Sequence, residues 1–252
     1  PIFHFPSVMG ITFPLPSLSP PFFPYIFAEK YRMNEYQWID KIQERIERQE
    51  LPGRDAHLKM SSVGREQRVA EASLQGAKHS AVTIMLYQKE GHWHIPLIRR
   101  PSYNGVHGGQ MGLPGGKLEE EDPSLRHTAL RETHEEVGVY LGEQHIIGGL
   151  SELYIPPSHL LVRPYLAIAH EPPAFSPDPQ EVAELFEMPL RDFFRPDTRQ
   201  QQQVTVMGNM RMKVPAFYVQ EQTIWGATAM MLNELFLLIE ELDLQKNLRL
   251  YP

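Results

Sequence analysis

Apolar and polar positions along the chain change period several times, and each change predicts an element. From Asn34 to about Glu50, Trp38, Ile39, Ile42 and Ile46 recur at helical spacing, which predicts an amphipathic helix ending before Leu51-Pro52-Gly53. A polar, irregular stretch follows, with a short helix expected over 64–75. The unbroken run Ala81–Tyr87 predicts a buried strand, Gln88–Gly91 its turn, and Trp93–Ile98 the returning strand. At about 100° per residue, Ala129, Leu130, Thr133 and Val137 share one arc of a helix. Asp122 suits its N-cap, Pro123 its first position and Gly138 its stop. Strands are expected over Ile146–Tyr154 and Leu160–Ala169, with Arg163-Pro164 marking an edge or a bulge, and another strand starts at Glu181–Phe186. Pro189–Phe194 predicts a short helix and Gln200–Gln203 a loop tip. Val204–Met207 and Met212–Val219 predict a hairpin. A helix through Glu241 follows, with Met230, Met231, Leu235, Leu238 and Ile239 in the core. The order amounts to an α/β fold: a mixed sheet, one helix inside the sequence and one at its end.

Composition refines this picture at the ends of the chain. Residues 1–32 hold seven prolines and no Asp, Glu, Lys or Arg before Glu29, a pattern unlike a secretory signal or a membrane helix. They read as an extension outside the folded unit and not native to it, with Met33 as the natural start. An arm packing its aromatics on a partner is the alternative. The chain then divides into a helical segment over 33–77, a folded domain over 78–244 and a tail over 245–252. A net charge of −7 argues against nucleic acid as a partner, and the absence of cysteine removes disulfides and thiol catalysis. These features suit a cytoplasmic protein with a small-molecule partner and no membrane, and they are compatible with a homodimer.

Chemistry concentrates between His107 and Val139. Glu132 and Glu136 lie about 40° apart on the helix, with Glu135 at the edge of the same exposed arc. Their mutual repulsion, and the helix dipole at this end, would both be relieved by a hard divalent cation. A solvated acidic face neutralised by Arg131 is the plainer alternative. Pro114-Gly115-Gly116-Lys117 precedes the helix, and glycine backbone of this kind can approach phosphate closely, with Lys117 adding charge. Arg99 and Arg100 end a strand where they could meet phosphate or remain solvated. Glu181 and Glu184 read as surface carboxylates.

These residues resemble the Nudix box. The box reads Gly, five residues, Glu, seven residues, then Arg-Glu-apolar-any-Glu-Glu-any-Gly-apolar, and here Gly116, Asp122 and Arg131-Glu132-Thr133-His134-Glu135-Glu136-Val137-Gly138-Val139 occupy it. Thr133 replaces a larger apolar residue, Asp122 stands for Glu, and eight residues separate Asp122 from Arg131. The last two departures, together with Arg100, six residues, His107-Gly108-Gly109-Gln110, three residues and Pro114-Gly115-Gly116, are similar to the coenzyme A diphosphatase subgroup. Leu113 replaces its usual Phe, and Gly105 an expected Arg. The resemblance covers roughly 78–244 and implies an α/β/α sandwich of the Nudix type. It implies Mg²⁺ or Mn²⁺ on Glu132 and Glu136, Glu135 as a further ligand or the catalytic base, and Arg131 as the catalytic residue that orients a glutamate. Arg99, Arg100, His107, Gln110, Gly115, Gly116 and Lys117 would face substrate, and Glu181 or Glu184 could add a catalytic or metal-binding carboxylate. Coenzyme A would be cut to 4′-phosphopantetheine and adenosine 3′,5′-bisphosphate. ADP-ribose, NADH or a dinucleoside polyphosphate is the nearer alternative, and a non-catalytic binding or sensor module the more distant one.

Overall fold

A computed structural model describes residues 37–65, 74–102, 107–206 and 210–250, so the expectations for 1–32 and for most of the helix over 64–75 lie outside the described residues. Trp38–Pro252 forms one compact unit.

The strand expected at Ala81–Tyr87 is the longer β1 (Lys78–Lys89), in which every residue from Ser80 to Tyr87 is buried. Burial without alternation means that both faces are covered. A two-residue turn, Glu90 (φ 52°) and Gly91 (φ 75°), leads to β2 (His92–Arg99). Two consecutive positive φ angles match the twist of a tight hairpin, so Gln88 and Lys89 extend the strand rather than form the turn. On its other side β1 runs parallel to β7 (Leu160–Ala169), in register from Lys78 opposite Leu160 to Tyr87 opposite Ala169. Around this pair lie β3 (Met111–Gly112), β4 (Gly115–Lys117), β5 (Ile146–Gly149), β6 (Leu153–Ile155) and β8 (Glu184–Pro189), with strand order β3-β2-β1-β7-β5. β4 pairs with β1, β6 with β7, and β8 with β2.

Pro164 is therefore not on an edge. It faces Val82 of β1 on one side. On the other, its carbonyl accepts from Leu150 N–H, where the β5 ladder has ended at Gly149 and β6 has yet to begin at Leu153. The strand expected over Ile146–Tyr154 breaks into β5 and β6 at this point.

Helix α1 (residues 37–47) buries Trp38, Ile39 and Ile42, with Trp38 edge-on to Trp93 at 5.2 Å. α2 (Gly53–Lys59) follows, and α3 (Leu125–Val137) packs on β1. The Thr83 hydroxyl donates to the Ala129 carbonyl at 3.0 Å and lies 2.8 Å from the Thr133 hydroxyl. That pairing accounts for a threonine where a bulkier apolar side chain was expected. Met85 and Tyr87, two and four residues on, join Val137 and Val139 in the same core cluster. The alternate residues Ser80 and Val82 face the other way, toward Met230 and Met231 of α4 (Gly226–Glu241). Helices thus flank the mixed sheet on both faces.

β9 (Arg199–Val206), β10 (Met210–Val219) and β11 (Gln222–Trp225) make a second, antiparallel sheet beside α4. Gln200–Gln203 belongs to β9 rather than to a loop tip, because β10 supplies a full ladder of partners along it. Glu234 of α4 is fully buried and gathers Gly53 N–H, Ser151 N–H and His57 Nε2, each at 3.2 Å. Burial pushes its carboxyl up, and the bonds from His57 and Ser151 outweigh that and hold it below the ordinary range. Leu244, Leu248 and Leu250 are buried, so the described part of the tail packs with the domain.

Candidate active site

β4 has glycine at its first two positions, and both are required there. Gly115 pairs with Val82 at φ +151°, and a Cβ there would lie 2.3 Å from the Ala81 carbonyl oxygen. At Gly116 a Cβ would stand 2.1 Å from Glu132 Oε1. The glycine pair therefore admits the carboxylates of α3 against the backbone. Gly115 N–H donates to Glu136 Oε2 at 2.8 Å.

α3 begins two residues later than expected. Its N-cap is Ser124, whose Oγ accepts from His127 N–H at 3.4 Å. Asp122 is released from capping and grips Arg131 instead, accepting from Nε at 3.0 Å and Nη2 at 2.9 Å. Those bonds hold the Asp122 carboxyl down at about 2 and push the Arg131 guanidinium well above its ordinary range. Arg131 Nη1 reaches Glu132 Oε1 at 3.0 Å and Glu135 Oε2 at 2.8 Å, and Nη2 reaches the Lys117 carbonyl at 3.1 Å. One guanidinium thus joins the turn, the start of the helix and two of its glutamates. At the other end, Gly138 stops the helix at φ 73°, as expected.

The acidic arc is not solvated as a whole. Glu136 is 3% exposed and Glu132 9%, whereas the Glu135 side chain is 50% exposed. One residue along a helix turns a side chain by about 100°, so Glu135 looks outward while Glu136 looks under β4. The third carboxylate beside them is that of Glu181. Oxygens of Glu132, Glu136 and Glu181 lie within 4.8 Å of one another, and Glu135 is not in this cluster. Glu181 is brought there by a loop stitched to the end of α3: Ser176 N–H donates to the Val137 carbonyl at 2.9 Å and Asp178 N–H to the Glu136 carbonyl at 3.0 Å. Gly138 makes room for that loop, since a Cβ there would lie 2.8 Å from Ser176. Glu184 instead pairs with Arg99 at 3.3 Å.

Burial raises the carboxyl of Glu132, against the neighbouring Arg131, and raises that of Glu136 to about 7, against Arg100 at 3.7 Å and the Gly115 N–H. A cluster of three carboxylates whose buried members resist ionisation is suited to a hard cation.

A cavity of about 640 Å³ opens beside the cluster. Of the residues expected to face substrate, Arg100, His107, Gln110, Gly115, Gly116 and Lys117 line it. Arg99 does not. It points to the other side of β2, as successive strand residues must, and its Nη2 bonds Gln222 at 2.7 Å with the guanidinium 5.1 Å over Phe186. Arg100 Nη2 also donates to the Gly115 carbonyl at 3.3 Å, so this side chain touches both cluster and cavity. Burial lowers the His107 imidazole. Met60, Trp225, Met230 and Met231 add an apolar wall.

The NUDIX domain profile matches residues 77–207. Mitochondrial coenzyme A diphosphatase NUDT8 of Homo sapiens is 32% identical over 133 residues, covering 52% of this chain and 56% of that protein. Uncharacterized Nudix hydrolase NudL of Pectobacterium atrosepticum is 35% identical over 145 residues, 58% and 74% of the two chains. Nudix hydrolase 15, mitochondrial, of Arabidopsis thaliana is 31% identical over 183 residues, 68% and 63%. The match thus spans little more than half of the human relative's length.

Proposed function

This chain belongs to the Nudix family, and on that premise we propose that it is a hydrolase that cleaves the diphosphate of coenzyme A or a derivative. Water would attack one phosphorus and the bridging P–O bond would break, giving 4′-phosphopantetheine and adenosine 3′,5′-bisphosphate. The observation that carries this reading is the placement of Arg100: it lies 3.7 Å from Glu136 and lines the cavity with His107 and Gln110. The coenzyme A-type segment and the acidic cluster are thereby parts of one site.

Glu132, Glu136 and Glu181 are the residues that would hold Mg²⁺ or Mn²⁺. Such an ion supplies neutralisation of the diphosphate charge and Lewis acidity toward water. Arg131 positions Glu132 and holds Glu135, the exposed carboxylate left to accept a proton. Arg100 and Lys117 place positive charge where the diphosphate oxygens would lie. In Gly116→Ala the new Cβ must push Glu132 out of place. Mn²⁺ binding, followed by titration calorimetry, is expected to weaken about 10- to 100-fold. Unaltered affinity would remove Glu132 from the ligand set.

The substrate is tested by product chromatography with Mg²⁺ or Mn²⁺ on coenzyme A, ADP-ribose, NADH and diadenosine polyphosphates. The highest kcat/KM is expected for coenzyme A. A higher value for any other member would overturn the substrate and keep the carboxylate chemistry. No hydrolysis of any would overturn the reading itself.

A further inference from the structure

The cations of the cavity stand at two separate places. Arg100 and Lys117 belong to the Gly115–Gly116 end, whereas Arg65 lines the cavity beside Ser62, whose carbonyl accepts its N–H, and near the Pro156–Ser158 turn that joins β6 to β7. Arg65 Nη2 donates to the Tyr154 carbonyl at 2.5 Å. Sheet register measures the separation. Tyr154 lies opposite Leu161, Leu161 opposite His79, and the His79 carbonyl accepts from Leu118 N–H, next to Lys117. Three inter-strand steps of about 4.8 Å put the Tyr154 backbone about 14 Å from that of β4. A diphosphate, two phosphorus atoms sharing one oxygen, is too compact to reach both ends.

Charge and hydrogen bonding at this wall both suit an anion. The chain has a net charge of −7, yet no Asp or Glu is among the described residues that line the cavity. Ser158 Oγ is buried and has no hydrogen-bond partner among the described residues. A buried hydroxyl in that state is uncommon and marks a place where a polar partner would be stabilising. Arg65 also precedes the matched span 77–207, so it belongs to this chain's own N-terminal segment.

We propose that the Arg65 wall binds a phosphate monoester carried on the ribose of the nucleotide whose diphosphate is cleaved. A guanidinium offers paired N–H donors in a plane, and a terminal phosphate offers three acceptor oxygens to meet them. A ribose bearing the diphosphate at C5′ and a monoester on a secondary hydroxyl separates the two anions by the width of the sugar. The lengths of the Arg and Lys side chains at the two places can span the remainder. This inference rests on the diphosphatase reading and adds a requirement to it. The monoester has two sources, the 3′-phosphate of coenzyme A and the 2′-phosphate of NADPH.

The test compares kcat/KM within two pairs, coenzyme A against 3′-dephospho-coenzyme A and NADPH against NADH. The wild-type chain is expected to favour the phosphorylated member of one pair by about 10- to 100-fold, the effect of hydrogen bonds to a charged group. The pair that responds identifies the source. Arg65→Gln is expected to bring that ratio close to one, and Arg65→Lys to keep part of it. Calorimetry runs beside the kinetics: adenosine 3′,5′-bisphosphate and adenosine 2′,5′-bisphosphate are each compared with AMP, on wild type and on Arg65→Gln. Tighter binding of a bisphosphate that is lost in Arg65→Gln supports the monoester site even if no substrate is turned over, and in that case only the diphosphatase reading falls. Equal values within both pairs, with bisphosphates binding no better than AMP, overturn the site. So does an Arg65→Gln chain that loses both members of a pair alike, since that is the mark of a merely structural residue.

Discussion

Glu136→Gln is expected to keep the fold and lose roughly 10³-fold in kcat at saturating Mg²⁺, about 4 kcal/mol of barrier. Gln has the size of Glu and an oxygen that can still accept the Gly115 N–H at the 2.8 Å position. What it lacks is the charge. The same variant makes a second, opposite prediction for stability in EDTA. Burial raises the Glu136 carboxyl in the folded protein from 4.5 to about 7, so the folded state holds this proton more tightly than the unfolded state does. Its contribution is full below about 4.5 and is lost as pH rises through about 7. That loss is on the order of 3 kcal/mol for one buried group. The metal-free wild type is therefore expected to lose Tm between pH 5 and pH 8, and Glu136→Gln to lose less of it. Added Mn²⁺ is expected to raise the wild-type Tm more at pH 8 than at pH 5.5, because only the ionised carboxylate competes well for the ion. Wild-type turnover by Glu136→Gln would remove this residue from the ligand set.

Arg131→Met is expected to cost both activity and stability. Its guanidinium serves Asp122 with two bonds and Glu132 and Glu135 with one each. Among the described residues, only Thr128 Oγ1 and Glu119 N–H then remain on Asp122, whose side chain is 5% exposed. Removing one partner of a largely buried pair leaves the other uncompensated. Arg131 itself is partly solvated, so about 2–3 kcal/mol in urea unfolding is expected rather than the full value for a buried pair. The drop in kcat is expected to be roughly 10²-fold, since Glu132 loses its orienting bond. Arg131→Lys is expected to recover little, because an ammonium lacks the planar fork that grips Asp122 at both oxygens. An Arg131→Met chain with wild-type kcat would show that the hub supports the fold alone.

Much of the helix and of the sheet centre was legible in the sequence, and the reasons differ between residues. Ala81–Tyr87 read correctly because an unbroken apolar run has few homes other than a strand covered on both faces. Gly138 read correctly because a left-handed residue is the common way to end a helix. Asp122 misled because Asp and Ser are equally good caps, and nothing local reveals that an arginine nine positions on has a stronger claim. The glutamates were placed on one exposed arc because helical geometry says which residues share a face, not what covers it. The cover is β4, whose glycines read as a loop approaching phosphate. Glu181 could be named from sequence only as one of two candidates, with Glu184, since its approach depends on backbone bonds between its loop and the end of α3. Gln200–Gln203 read as loop because polarity argues for exposure, and an exposed strand with a full ladder on one side satisfies both.

Glu234 carries a consequence for how the chain assembles. Its hydrogen bond to Gly53 N–H closes a sequence separation of 181 residues, and those to Ser151 N–H one of 83. Contacts of that range are formed late and make folding slow, because the chain entropy must be given up before they return anything. During synthesis every residue of the carboxylate cluster leaves the ribosome before α4 does. The segment at Gly53 and the loop at Ser151 then wait, with their N–H groups still on water, for the helix that will hold them. Assembly of the domain is thus expected to wait on α4 rather than on the residues of the carboxylate cluster.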